Sequence, residues 1–160
     1  MDEKKKIETE RAALNALLEK GLAFEIPRRS FFGVKRKPRT FVISQPYLGT
    51  LDSLSSELLR MDLDEEAIKK DPLGESRRIA YTNARRAAKV VAIAVLNGKW
   101  RIRLFTRIVA NYFLWKITPS KLFQLAMIIN TMSNTADFTN SIRLLSIARI
   151  TADPKADRVE

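Results

Sequence analysis

The chain has no cysteine and no histidine among its 160 residues. The first absence removes disulfides, thiolate nucleophiles and sulfur-ligated metals. The second removes the side chain whose proton comes and goes near neutral pH. The Ser-His-Asp and Cys-His constellations and the His-bearing zinc sites go with it. Chemistry is left to carboxylates, Lys, Tyr and Ser/Thr. Glycine is scarce too. Gly21, Gly33, Gly49, Gly74 and Gly98 stand singly at breaks between elements, so neither a Gly-rich phosphate loop nor a Gly-x-Ser-x-Gly elbow exists. An acidic cluster, Asp62, Asp64, Glu65 and Glu66, invites a calcium reading. Counted from Asp62, however, the positions that need Gly and Glu in an EF-hand hold Ala67 and Leu73. Helix capping is the simpler account. The expectation is a protein that is not an enzyme and uses no metal or cofactor.

Long apolar runs are missing as well. The longest, Val90 to Leu96, has seven residues, against roughly 20 for a membrane span. Met1-Asp2-Glu3-Lys4-Lys5-Lys6 carries acids and runs directly into an amphipathic pattern, unlike a signal peptide. A cytoplasmic protein without a transmembrane segment is expected.

Acidic residues are absent from long stretches, and this is the strongest signal in the composition. The net charge is +11. Residues 26–51 hold Arg28, Arg29, Lys35, Arg36, Lys37 and Arg39 and no acid. Residues 52–75 hold eight acids against three bases, whereas residues 76–136 hold eleven bases and no acid. Three explanations fit an acid-free stretch of this length. A polyanion partner would draw it through Coulomb attraction and counterion release. An acidic protein partner would be steered by the same field. The neighbouring 52–75 segment could instead offset the charge within the chain.

Apolar periodicity organises the chain as one domain over 1–150, followed by a polar, frayed tail at 151–160. Ile7, Leu14, Leu17 and Leu18 predict a helix over Glu3 to Lys20, with Gly21 as its C-cap. Leu22–Ile26 and Arg39–Ile43, each closed by a Pro or Gln-Pro, predict two short strands of a hairpin spanning about 22–44. The basic connector Arg28 to Pro38 is expected to be a mobile loop. A helix from Gly49 onward carries Leu51, Leu54, Leu58 and Leu59 on one side, and a short helix follows with Asp62 or Asp64 as N-cap. Asp71-Pro72-Leu73-Gly74 reads as a break. A long helix over Glu75 to Asn97 is basic in its first half and apolar nearly all round at Val90–Leu96, which must be buried.

Trp100 to Ile117 follows, with Ile102, Phe105, Ile108, Val109, Tyr112 and Phe113 as core candidates. Thr118-Pro119 is a helix start, an N-cap followed by Pro at the first helical position. After a turn at Ser133 to Asp137, Phe138 to Arg149 predicts a last amphipathic helix with Phe138, Ile142, Leu145 and Ile147. The fold class is therefore mainly α: a helical bundle over about 75–149 with a small N-terminal β-hairpin.

Two binding surfaces follow. Arg77, Arg78, Arg85, Arg86 and Lys89, with Lys99, Arg101, Arg103 and Arg107, form a basic face that could meet nucleic-acid phosphates. No compact helix–turn–helix signature accompanies it, and a solvated basic face is the plainer reading. Grooves between the C-terminal helices could take the apolar stripe of a partner helix, a long helical or acidic protein. Phe123, Met127, Met132 and Phe138 are the candidate contacts there, together with Phe31 and Phe32 in the connector loop. Trp100, Phe105, Phe113 and Trp115 among arginines could lie in an anionic membrane interface, although aromatics at this spacing more often form core. A homo-oligomer is compatible with the same apolar faces.

Three stretches carry a family resemblance. They are Phe24-Glu25-Ile26 with Arg39-Thr40-Phe41-Val42-Ile43, then Gln45-Pro46-Tyr47-Leu48-Gly49-Thr50-Leu51, and Thr118-Pro119-Ser120-Lys121-Leu122 leading to Phe138-Thr139-Asn140-Ser141-Ile142. In content and order, over about residues 22–148, they resemble the small tail assembly chaperones of tailed bacteriophages and prophages. The resemblance implies a non-enzymatic protein that coats the long, helical, aggregation-prone tape-measure protein before the tail tube polymerises around it. It also implies action in the cytoplasm of the bacterial host. The basic balance is no part of that pattern and keeps nucleic-acid binding open as the alternative.

The connector loop generates a prediction. Six like charges repel one another around Phe31 and Phe32, and a partner with an acidic rim and an apolar pocket relieves both problems. Burying one Phe is worth roughly 1.5–3 kcal/mol, against ~0–1 kcal/mol for one exposed ion pair. Phe32→Ala is thus expected to weaken partner binding more than Arg36→Ala, with the melting temperature unchanged. If Phe32→Ala lowers the melting temperature by several degrees instead, the ring belongs to the core and the loop is structural.

Overall fold

The computed structural model describes residues 20–28 and 37–151, the last four as backbone alone. The expected first helix and the loop residues Phe31 and Phe32 lie outside these. Element order is β1 (Leu22–Ile26), β2 (Arg39–Ile43), α1 (Leu48–Leu59), α2 (Glu65–Lys70), α3 (Pro72–Leu96), α4 (Lys99–Leu114), α5 (Pro119–Ser133) and α6 (Thr135–Thr151). The architecture is mainly α with a small antiparallel hairpin. Both strands fall on the residues their β-branched and aromatic content marked.

The hairpin register pairs Leu22 with Ile43 and Phe24 with Phe41. Alternation puts Phe24, Ile26 and Ile43 on a buried face. Phe24 and Phe41 stack at 5.6 Å, and Phe113 of α4 sets its ring edge against Phe41 at 4.9 Å. Arg39 lies over the Tyr112 ring at 5.5 Å. Two strands alone are marginal in water, so this aromatic cluster and the contact of β2 with the helices hold the hairpin in place. Gly21 enters β1 at φ +72°, and a Cβ there would meet the Ile43 carbonyl oxygen at 2.9 Å. Only glycine suits that entry.

Helix α3 is the axis, touching α1, α2, α4, α5 and β2. Ala88, Val90–Ala94 and Leu96 are buried on every side of it, as a helix apolar all round requires. It begins earlier than its sequence suggests. Asp71 ends α2 and caps α3, its Oδ1 accepting from the Gly74 N–H at 3.0 Å, with Pro72 in the first turn. Asp64 caps α2 by accepting from the Glu66 and Ala67 N–H groups, both at 3.0 Å. Thr118 caps α5 at the Lys121 N–H. Each cap supplies a partner to donors that the first helical turn leaves open.

Several apolar faces differ from their periodicity. In α1 the buried positions are Thr50, Leu54 and Glu57, while Leu58 and Leu59 are exposed. Glu57 can be buried because its Oε1 receives the Lys89 ammonium at 2.6 Å and Arg60 at 3.4 Å. In α4 the buried positions are Thr106 and Phe113, with Ile102 and Val109 beside them, and Phe105 and Ile108 are exposed. The Thr106 hydroxyl donates to the Ile102 carbonyl and so satisfies itself inside the core. Between α5 and α6 the expected turn shrinks to Asn134, left-handed at φ 39°. Every described side chain of α6 from Thr135 to Ile147 is exposed, including Phe138, Ile142 and Leu145.

Asn97, left-handed at φ 37°, ties the end of α3 to the link between β2 and α1. Its Oδ1 accepts from the Tyr47 N–H at 3.1 Å. Its Nδ2 donates to Ser44 Oγ at 2.9 Å and to the Gln45 carbonyl at 2.8 Å. Asn97→Ala loses these bonds and strains the backbone, at a cost of roughly 2–4 kcal/mol. Asn97→Gly keeps the backbone relaxed and costs ~1–2 kcal/mol. Thermal melting of both variants checks the clamp; a glycine variant that melts with the wild type would assign it no stabilising role.

Candidate functional site

The acid-free stretch between residues 76 and 136 spans most of α3 and all of α4 and α5, and its cations divide into two groups. Arg78 is paired: its Nε reaches Glu75 at 2.7 Å and its NH1 reaches Asp62 at 3.1 Å. Hydrogen bonds to Glu75 and then Asp62 hold this guanidinium above its ordinary pKa. Lys89 is paired with Glu57. All three carboxylates come from the acidic 52–75 segment, so that segment does offset part of the basic field. The other bases of the stretch have no carboxylate within ion-pair distance among the described residues.

An open groove of about 1060 Å³ lies between α1, α3 and α4. Arg85 and Lys89 line it from α3, and Arg103 and Arg107 line it from α4. Each pair is spaced four residues apart, hence on one helix face. Ile93, Ile102, Ile108 and Leu114 supply apolar lining, and Asp52, Ser53, Ser56 and Glu57 form the α1 wall. Four of the basic residues singled out in the sequence therefore converge, while Arg77, Arg78, Arg86, Lys99 and Arg101 lie outside the lining. The lining holds four cations and two carboxylates, so it can seat a segment of negative or mixed charge. Among the described residues there is no group of His, Cys, Asp or Glu suited to a metal ion.

The apolar contact candidates also divide. Met132 is 0% exposed and belongs to the core with Leu125 and Ile129. It is not a surface contact. Phe123 and Met127, 68% and 60% exposed, stand one turn apart on the opposite face of α5. Phe138 shares a face of α6 with Ile142 and Leu145, all exposed. Of the four aromatics considered for a membrane interface, Phe113 is core, whereas Trp100, Phe105 and Trp115 are exposed. Leu104 and Ile108, exposed beside them on α4, were not singled out as surface residues, because apolar residues on both sides of this helix leave its periodicity ambiguous.

No protein-family model, curated protein or solved structure matches the chain.

The contrast between two methionines on one helix is directly testable. Met132→Ala should destabilise the protein by about 2–5 kcal/mol, because it opens a cavity in a closed core. Met127→Ala should stay within ~0.5 kcal/mol, as surface substitutions do. Chemical denaturation of the two variants reads the difference; equal losses would mean that Met127 is covered as well.

Proposed function

We propose that this chain is a non-enzymatic, protein-binding assembly factor of the chaperone type. Its partner is a helical protein whose apolar stripe is taken by α5 and α6. The observation that carries this reading is the uncovered apolar surface there: Phe123 and Met127 on α5, and Phe138, Ile142 and Leu145 on α6. Apolar side chains grouped on helix faces in this way mark interaction surfaces. Both helices have the spacing that helix-in-groove recognition uses, and Met127 adds an adaptable contact. The resemblance to tail assembly chaperones supports the same reading and makes the partner a long helical tape-measure protein in the cytoplasm of the bacterial host.

Co-expression with long helical proteins from the same gene neighbourhood tests the proposal. The soluble yield of one of them should rise several-fold. Phe123→Glu combined with Ile142→Glu should weaken the complex by tenfold or more, on the order of the apolar burial lost. A partner equally soluble without this chain would remove the reading.

The unpaired bases favour a second reading, nucleic-acid binding through the 77–107 face. Arg85, Arg103 and Arg107 would carry it, since they converge without a carboxylate of their own. Affinity for duplex DNA would then fall by on the order of a thousandfold between about 50 and 200 mM salt for six or more phosphate contacts. An electrophoretic shift at low salt decides it, because the absence of any shift there removes this reading.

A further inference from the structure

We propose that the outer face of α4 docks flat on an anionic lipid membrane, without crossing it. The surface differs from the α5–α6 face and stands independently of the function proposed above. Trp100, Leu104, Ile108 and Trp115 are between 61% and 76% exposed. At 3.6 residues per turn they fall within an arc of about 80°, shared with the exposed Asn111, along a helix of roughly 24 Å that Trp115 directly follows. The opposite side of α4 is closed by Thr106 and Phe113 in the core, so the stripe is held rigidly outward. No helix among the described residues is long and apolar enough to span a bilayer, and an interfacial position is the one this geometry allows.

Charge complementarity identifies the occupant. Lys99, Arg101, Arg103 and Arg107 are all exposed; Arg101 borders the stripe on one side and Arg103 and Arg107 lie on the other, with Lys99 at the start of the helix. No acid occurs from residue 76 to 136, and the two carboxylates in the groove beside Arg103 and Arg107, Asp52 and Glu57, come from α1. A duplex would meet these cations and leave two indoles, a leucine and an isoleucine in water. An anionic leaflet satisfies both: lipid phosphates meet the basic border, and the boundary between headgroups and acyl chains takes the apolar ridge. Indole rings at the two ends of the helix suit that depth, being apolar in body with one polar N–H.

Trp100 and Trp115 are the only tryptophans in the chain, so its indole emission reports this face alone. The full-length protein is titrated with vesicles of phosphatidylcholine and phosphatidylglycerol in equal parts, and with phosphatidylcholine alone. We expect flotation with the anionic vesicles, a blue-shifted emission, and quenching by lipids brominated on their acyl chains. Neutral vesicles should bind at least tenfold more weakly, as each basic side chain near an anionic surface contributes roughly fivefold. Leu104→Gln combined with Ile108→Gln leaves the net charge unchanged and should weaken vesicle binding at least tenfold, with the circular dichroism melt unaltered. Anionic vesicles that neither float the protein nor shift its emission overturn the proposal. Binding without acyl-chain quenching also overturns it, because charge alone would then be at work. So does duplex DNA that binds more tightly than anionic vesicles at equal ionic strength, in favour of the nucleic-acid reading. The quenching measurement uses the unaltered protein and decides the question even if the double variant does not fold.

Discussion

The C-terminal half of α3 is apolar on every side, and a helix of that kind has to be enclosed by other elements. From Ala88 to Leu96 only Lys89 and Val95 escape full burial. No single neighbour can cover such a cylinder. Helices α1, α4 and α5 and strand β2 each take part of it, and each turns one face inward to do so. The short connections around α3 and the Asn97 clamp follow from that enclosure, since they return the chain at once to the same axis. The hairpin is held by the contact of β2 with α3 and by the rings of Phe24, Phe41 and Phe113.

Elements whose signal is local were legible in the sequence. The strands, the Thr118 cap with Pro119 and the burial of Val90–Leu96 needed nothing beyond neighbouring residues. The inward face of each peripheral helix was harder to read, for two physical reasons. Polar residues that find partners can be buried, and Glu57 and Thr106 do so where a leucine or phenylalanine was expected. Apolar residues also occur on both sides of α4 and α5, and periodicity cannot say which of two stripes is covered. Met132 and Met127 differ in sequence only by position, yet one is core and the other is surface.

The candidate site was legible to a similar degree. Composition alone exposed the segregation of charge, and the basic residues themselves were identifiable by number. Their division into paired and unpaired groups was not, because Arg78 meets Asp62 from 16 residues away and Lys89 meets Glu57 from 32. Nor could spacing bring Arg85 and Lys89 opposite Arg103 and Arg107; the reversal of the chain at Asn97-Gly98 does that. The acidic segment thus has a local role in capping α2 and α3 and a distant one in holding two cations of α3.

The hairpin's dependence on Phe113 also has a meaning in time. A ribosome releases β1 and β2 first, and the ring that covers Phe41 follows roughly 70 residues later, ~4–14 s at ordinary rates of synthesis. During that interval Phe24 and Phe41 lack the Phe113 ring, although α3, which also packs on β2, emerges before it, and the edges of the strand pair are open to other chains. The nascent protein therefore passes through a stage in which its first third exposes aromatic rings that only the finished fold covers.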